Sequence, residues 1–265
     1  MSYQTILIES ANNIATIWLN RPEVHNAFNE LTIKELAAAF NELEKDLALR
    51  AVVIRGKGKS FCAGADLNWM KAVKEYSYEQ NYRDSLDLCR LLYKLYTFRK
   101  PVIAVVHGSA IGGANGLLAA CDIAICEENT TFSLSEVKIG LIPACISPYV
   151  IKRVGEPIAR ELMLTGKRIK GPEAEKHRLV NRSLPENELE NYLNETLNLL
   201  RTSGPQAVEN CKKLIFDVVN TWTLDQTIEN TAVLITKQRL SEEAQEGMTA
   251  FLEKRRPDWK KKSEQ

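Results

Sequence analysis

The chain has 265 residues, 45% of them hydrophobic and 26% charged, with 35 basic against 34 acidic side chains and a formal net charge of +1. That length suits one large domain with a sizeable core, or a domain with a small appendage, in an ordinary soluble protein. So even a charge balance sets up no global field for nucleic acid or an anionic membrane, and an anionic ligand must be held locally. Thr5 to Ser10 and Ile14 to Asn20 are β-branched runs separated by the turn residues Ala11, Asn12 and Asn13, which predicts a hairpin. Asn29 is a candidate cap for a helix in which apolar residues recur at helical spacing. Ala51 to Gly56 is a continuous apolar run closed by glycine, which predicts a buried parallel strand.

A loop of small residues follows, Gly56 to Asn68, and then Trp69 to Phe98 reads as helices with a break somewhere in the middle. Pro101 to Gly108 reads as a second buried strand, Gly113 to Asp122 as a helix of small residues, and Ile123 to Glu128 as a third strand. A helix is expected around Ser147 to Val154. Alternation of strands and helices implies an α/β fold with crossover connections. Beyond about Arg201 the pattern is helical throughout. The expected organisation is therefore a core over residues 1–200 and a helical region over 201–265.

No apolar run is long enough to cross a bilayer, and the N-terminal segment alternates like a strand rather than reading as a secretory signal. The cytoplasm is the expected compartment. Six cysteines lie scattered in apolar contexts without a CxxC pair, which suits buried reduced thiols. The histidines, His25, His107 and His177, form no ligand motif, so no metal site is expected.

Chemistry concentrates in two glycine-rich turns. In His107 to Asn115 a buried strand ends, a short turn follows, and a helix begins near Gly113. Unpaired N–H groups at a helix start, reinforced by the helix dipole, suit a negative oxygen, and glycine lets a ligand approach the backbone. The spacing is neither GxGxxG nor a P-loop, so an oxyanion fits better than a phosphate. Phe61 to Asp66, FCAGAD, also follows a buried strand and leaves its backbone accessible beside small side chains.

Together, in this order, the two segments resemble the crotonase superfamily of enoyl-CoA hydratases and isomerases. The resemblance extends to the RPEVHNAF segment from Arg21, the ACDIAI and FSLSEVKIGLIP stretches from Ala120, the TGKRI segment from Thr165, and EGMTAFLEKR from Glu246. It covers essentially the whole chain. It implies an α/β crotonase (ClpP-like) spiral of ββα units with a helical C-terminal region that makes trimer contacts. The expected partner is an acyl-CoA substrate, with no cofactor beyond the coenzyme A of that substrate, and the expected state is a homo-oligomer, a trimer or a dimer of trimers.

By the same resemblance, the N–H groups of Ala65 and Gly113 grip the thioester oxygen as it becomes an enolate. Losing one such donor costs on the order of 3–4 kcal/mol of transition-state stabilisation. The backbone around Ala63 meets the adenine, Val24 lines the coenzyme path, Asp66 and Leu67 flank the pantetheine thiol end, and Gly112 borders the substrate. Lys254 matches a position that reaches the coenzyme phosphates, from its own subunit or a neighbour. Glu136 matches one of two acid/base glutamates, whereas Gly116 stands where the other belongs.

That departure leaves two activities open. A hydratase with two carboxylates holds its water between them. One carboxylate can take and return a proton in turn, which suits double-bond isomerisation and also hydration from one side. Asn115, next to Gly116, points about 100° away on a helix and is not given a catalytic part. Segments around Phe132 to Ala144 and Ile146 to Ile151 further resemble bacterial methylglutaconyl-CoA hydratases of leucine degradation. The rival reading from another class is a nucleic-acid patch in the basic tail Lys254 to Lys262; the body carries no matching excess of positive charge.

Overall fold

The computed structural model describes residues 3–259, so Lys260 to Lys262 of the basic tail lie outside the described residues. β1 (Ile6–Ala11) and β2 (Ile14–Leu19) pair antiparallel, with Asn12 and Asn13 both left-handed between them. Asparagine tolerates that conformation, so the predicted hairpin has the turn residues it needs. α1 (Glu30–Leu43) is capped by Asn29, whose side chain accepts from the Thr32 N–H at 2.9 Å. β3 (Ala51–Gly56) is buried nearly throughout.

α2 (Leu67–Val73) and α3 (Tyr78–Thr97) are the two expected helices. Their break falls just before Ser77, which starts α3 with a reciprocal capping box to Gln80. β4 (Val102–Val106) is wholly buried. The stretch between Gly108 and Gly113, expected to be a bare turn, contains β5 (Ser109–Ile111). α4 (Gly113–Ala120), β6 (Ile123–Glu127) and β7 (Thr131–Ser133) follow. Then come α5 (Ser147–Val154), α6 (Glu156–Thr165), β8 (Arg168–Lys170), α7 (Gly171–Lys176), β9 (Arg182–Leu184) and α8 (Glu186–Thr202). The chain continues in α9 (Pro205–Asn220), α10 (Leu224–Arg239) and α11 (Glu242–Leu252).

Six strands form one sheet in the order β1-β2-β3-β4-β6-β9, and β5-β7-β8 form a second. In the six-stranded sheet every pairing beyond β1 is parallel, whereas in the second sheet β5 and β7 pair parallel and β7 and β8 antiparallel. Parallel strands need crossovers and two covered faces, which is why β3 and β4 read as unbroken apolar runs. Phe28, Phe40, Phe61, Phe98 and Phe132 are fully buried, and Phe40 meets Phe98 edge to face with centroids 5.0 Å apart. Each such ring contributes about 1.5–3 kcal/mol by burial.

The chain divides into two compact units, one formed by residues up to Phe98 and Val102–Glu190, the other by Arg99–Pro101 and the chain from Asn191 onward. The first holds both sheets. In the second, Glu209 of α9 takes hydrogen bonds from Arg99 and Lys100, and Lys212 donates to the Lys100 carbonyl at 3.1 Å. Ile215, Val219, Leu224, Ile228, Phe251 and Leu252 on α9, α10 and α11 are exposed. No helix among the described residues is long and apolar enough to cross a membrane.

Candidate active site

The two glycine-rich segments are joined directly. Cys62 and Ala110 form a parallel bridge, in which the Cys62 N–H donates to the Ser109 carbonyl at 3.0 Å and the Ile111 N–H to the Cys62 carbonyl at 3.1 Å. Phe61 adds a third bond, its N–H donating to the His107 carbonyl at 2.9 Å. Approach is close enough that glycine is required. Gly64 has φ +96°, and a Cβ there would sit 2.9 Å from the Ile111 carbonyl oxygen.

Ala65 follows Gly64 at the surface. Its neighbours are tied to the RPEVHNAF loop, with the Phe28 N–H donating to Gly64 and the Asp66 N–H to Phe28, both at 2.7 Å. This pairing leaves the Ala65 N–H pointing the other way, with no acceptor among the described residues. Gly113 is the first residue of α4, so its N–H has no partner within the helix. Gly112 before it has φ +54° and donates its own N–H to the Ser133 carbonyl at 2.8 Å. Two backbone N–H groups with no acceptor among the described residues therefore stand just beyond two segments that are hydrogen-bonded to each other at Cys62 and Ala110.

Glu136 begins a short 3-10 turn, Glu136–Ile139, after β7. Its carboxylate lies against Gly112: a Cβ built on that glycine would be 3.2 Å from Oε1. Oε2 is buried with no hydrogen-bond partner. Burial pushes this carboxyl above its ordinary value, only partly offset by a bond from its own backbone N–H. A carboxylate with one buried oxygen unpaired, lying against the turn that precedes Gly113, is the kind of group that can exchange a proton with an entering ligand.

Gly116 is on the next turn of α4 and carries no side chain of its own. A Cβ at Gly116 would overlap the side chain of buried Ile146. The place of a second acid is filled by hydrocarbon.

Asn115 has a part that the sequence reading did not assign. It is fully buried, and its Nδ2 donates to the carbonyls of Ala110 (3.1 Å), Gly112 (3.1 Å) and Ser133 (2.9 Å). It clamps β5, the Gly112 turn and β7, and so positions Gly113 and the start of the Glu136 segment. The expectation that it points away from Gly116 holds. What a one-dimensional reading could not supply was the set of carbonyls on the other side.

The remaining site residues divide by how they are held. Asp66 caps α2, accepting from the N–H groups of Asn68 (2.8 Å) and Trp69 (3.3 Å), and pairs with Arg21 at 2.8 Å. Burial pulls its carboxyl up, but Arg21 and the two N–H groups outweigh burial and hold it below its ordinary value. Its side chain is thereby occupied, and so is its backbone, the N–H donating to Phe28 at 2.7 Å and the carbonyl accepting from Met70 at 2.8 Å. Ala63 donates its N–H to the His25 carbonyl at 2.9 Å. Val24 and Leu67 are exposed, Leu67 strongly. Lys254 lies in the other unit, exposed after α11, with left-handed backbone.

The RPEVHNAF loop is itself built around Asn26, which is buried. Its Oδ1 accepts from the Arg21 N–H at 2.8 Å, and its Nδ2 donates to the carbonyls of Lys57 (2.8 Å) and Ser60 (2.7 Å). Among the described residues no group of three or more histidine, cysteine or acidic side chains is arranged to hold a metal ion.

Two backbone N–H groups beside a bridged pair of segments, with a carboxylate against the turn that precedes one of them, make an arrangement suited to an oxyanion. Comparison with known proteins narrows this: the enoyl-CoA hydratase/isomerase family matches residues 9–262, and the chain belongs to that family. A Thermus thermophilus relative with a provisional enoyl-CoA hydratase name is 35% identical over 245 residues, covering 92% of this chain and 96% of its own. The short-chain-enoyl-CoA hydratase of Clostridium acetobutylicum is 32% identical, covering 97% of both chains. Among solved structures, an enoyl-CoA hydratase from Shewanella pealeana superimposes with a TM-score of 0.93 at 36% identity, covering 97% of this chain and 96% of its own. The crotonase fold expected from the sequence is the fold found.

Proposed function

We propose that this enzyme is a hydro-lyase that adds water across the 2,3 double bond of an enoyl-CoA thioester. The observation that carries the reading is the juxtaposition of the free Ala65 and Gly113 N–H groups with the unpaired Glu136 carboxylate. The thioester oxygen accepts from both N–H groups. Glu136 takes a proton from the water as its oxygen bonds to C3, and the electron pair of the double bond moves toward the thioester as an enolate. Glu136 then returns the proton to C2, giving a 3-hydroxyacyl-CoA. Both proton transfers use one carboxylate on one face of the substrate.

The substrate we favour is 3-methylglutaconyl-CoA, an intermediate of leucine degradation, on the resemblance of the Glu136 and Ile146 segments to hydratases of that compound. Ala63, Val24, Asp66, Leu67 and Gly112 border the bound thioester in this reading, and Lys254 meets the coenzyme phosphates. The exposed apolar residues of α9, α10 and α11 support assembly as a trimer or a dimer of trimers.

A second reading, isomerisation of a 3-enoyl-CoA, draws on one observation: the hydrocarbon of Ile146 over Gly116 provides no second polar group for a water. Glu136 would then take a proton from C2 and return it to C4. A relative from Dictyostelium discoideum, 31% identical over 256 residues, is a dienoyl-CoA isomerase by name. Purified protein assayed with crotonyl-CoA, 3-methylglutaconyl-CoA and a 3-enoyl-CoA separates the readings. Hydration of the methylglutaconyl ester above the other two supports the first, turnover of the 3-enoyl ester alone supports the second, and no turnover of any of them defeats both.

A further inference from the structure

Cys62 is wholly buried, and its thiol meets both polar groups of Gly64. Sγ accepts the Gly64 N–H at 3.4 Å, and the S–H donates to the Gly64 carbonyl with sulfur and oxygen 3.8 Å apart. Burial pushes this thiol up to about 12, so it keeps the proton that the second contact needs. The Gly64 carbonyl also accepts from the Phe28 N–H at 2.7 Å. It therefore takes one backbone donor from the RPEVHNAF loop and one side-chain donor from its own segment.

A trans peptide is a rigid plane with its C=O and N–H on opposite edges. No peptide bond among the described residues is cis. The Gly64 carbonyl and the Ala65 N–H share one such plane. Whatever holds that carbonyl aims the N–H the opposite way, and hydrogen bonds to the carbonyl also polarise the N–H across the amide. The second donor repeats the arrangement. The Gly112 carbonyl accepts from the Asn115 N–H at 2.9 Å and from Asn115 Nδ2 at 3.1 Å, and its plane carries the Gly113 N–H. Each plane is gripped from behind by one backbone N–H and one side-chain donor, and the two side chains are Cys62 and Asn115.

We propose that Cys62 is a positioning residue for the oxyanion donor at Ala65, its thiol fixing the Gly64–Ala65 peptide plane from behind. The inference rests on the part proposed for the Ala65 N–H, and Cys62 itself does not touch substrate. Gly64 has φ +96° and no side chain to stiffen it, so the plane depends on outside contacts. Without the thiol, Phe28 alone holds the carbonyl, and the Ala65 N–H swings off the line to the thioester oxygen. That oxygen carries more charge in the enolate than in the bound thioester, so the loss falls on turnover more than on binding. A serine hydroxyl at position 62 restores a donor and an acceptor, whereas alanine restores neither.

The test binds butyryl-CoA, labelled with carbon-13 at its thioester carbonyl, to wild type, Cys62→Ala and Cys62→Ser. This ester has no double bond to hydrate. Its carbonyl stretch, read by difference infrared spectroscopy, moves to lower frequency as the oxygen is polarised. Calorimetry gives Kd for coenzyme A, and kcat is read on the enoyl ester that the wild type turns over. Cys62→Ala should show roughly half the wild-type frequency shift and a kcat about tenfold lower, with Kd for coenzyme A within about twofold. Cys62→Ser should recover most of both. A folded Cys62→Ala protein with the wild-type shift and kcat overturns the inference. So does a kcat that falls in step with coenzyme A affinity while the shift is unchanged, which is what general loosening produces. If Cys62→Ala does not fold, Cys62→Val fills the space without a donor and should show the same reduced shift and kcat; wild-type values there also overturn the inference. No shift in wild type defeats the oxyanion reading and this inference with it. A shift kept in full by Cys62→Ala defeats only the part given to Cys62, so the two failures are distinguishable.

Discussion

The two halves of the proposed catalytic corner are built from different material. The donor half is backbone: the Ala65 and Gly113 N–H groups are held by the Cys62–Ala110 bridge and by the Phe28 pairing, with Gly64 and Gly112 allowing the close approach. The acid/base half is one side chain, Glu136, with an unpaired oxygen and hydrocarbon where a second acid would stand. A backbone site survives most side-chain changes and fails when the backbone moves. A side-chain site fails on one substitution that leaves the fold intact.

The sharpest way to break that contrast is Glu136→Gln. It should lower kcat by about 10³-fold, within the range that general acid–base catalysis supplies, with acyl-CoA affinity nearly unchanged by calorimetry. Retention of wild-type turnover would remove Glu136 from the mechanism. On the donor side, Asn115→Ala removes the clamp on three carbonyls without touching substrate. It should cost roughly 2–3 kcal/mol of stability, since those acceptors are left buried, and lower kcat/KM about tenfold. A loss of stability with unaltered kcat/KM would show that the donors are held well enough without it.

Gly116→Ala probes the seam between the halves. Overlap with Ile146 should destabilise the protein by about 1–3 kcal/mol in urea unfolding, and adding Ile146→Ala should recover most of that loss. Additive losses in the double variant would mean the two residues do not share that space.

The smallest effects are in pH. Because burial raises the Glu136 pKa, the acid limb of kcat/KM should fall at a higher pH than an ordinary carboxylate near 4.5 would give. The same shift sets a stability sign. A carboxyl whose pKa is higher folded than unfolded favours the folded state at low pH, and that contribution is lost as pH rises through the folded value. Glu136→Gln should therefore raise Tm slightly at pH 7 and leave it unchanged below the unfolded pKa.

Much of the donor half was legible before any coordinates. Buried strands announce themselves as apolar runs, and a glycine pair between strand and helix announces an exposed N–H. β5 was not legible, because three residues inside a glycine-rich turn carry no periodicity, and its strand character comes from partners at Thr131–Ser133 and Cys62. The short β8 and β9 were missed for the same reason. Gly116 could be read as a missing acid, but not as a space taken by Ile146, since that contact joins residues thirty positions apart on different elements. Asp66 was read as flanking a ligand, whereas its side chain is occupied by Arg21 and by the start of α2, a pairing that needs the RPEVHNAF loop folded back on the FCAGAD strand.

The Cys62–Ala110 bridge also bears on how the enzyme comes into being. Neither of the proposed oxyanion donors is set beside the other until two distant stretches of chain have met, and closing that loop is an entropic step no local structure can perform. A nascent chain released or truncated before β5 docks holds half a pocket and has no turnover to misdirect. In this reading the donor pair is complete only once that pairing has formed. Amide exchange at Cys62 and Ile111 should report it, with both protons protected together and both released when either strand lets go.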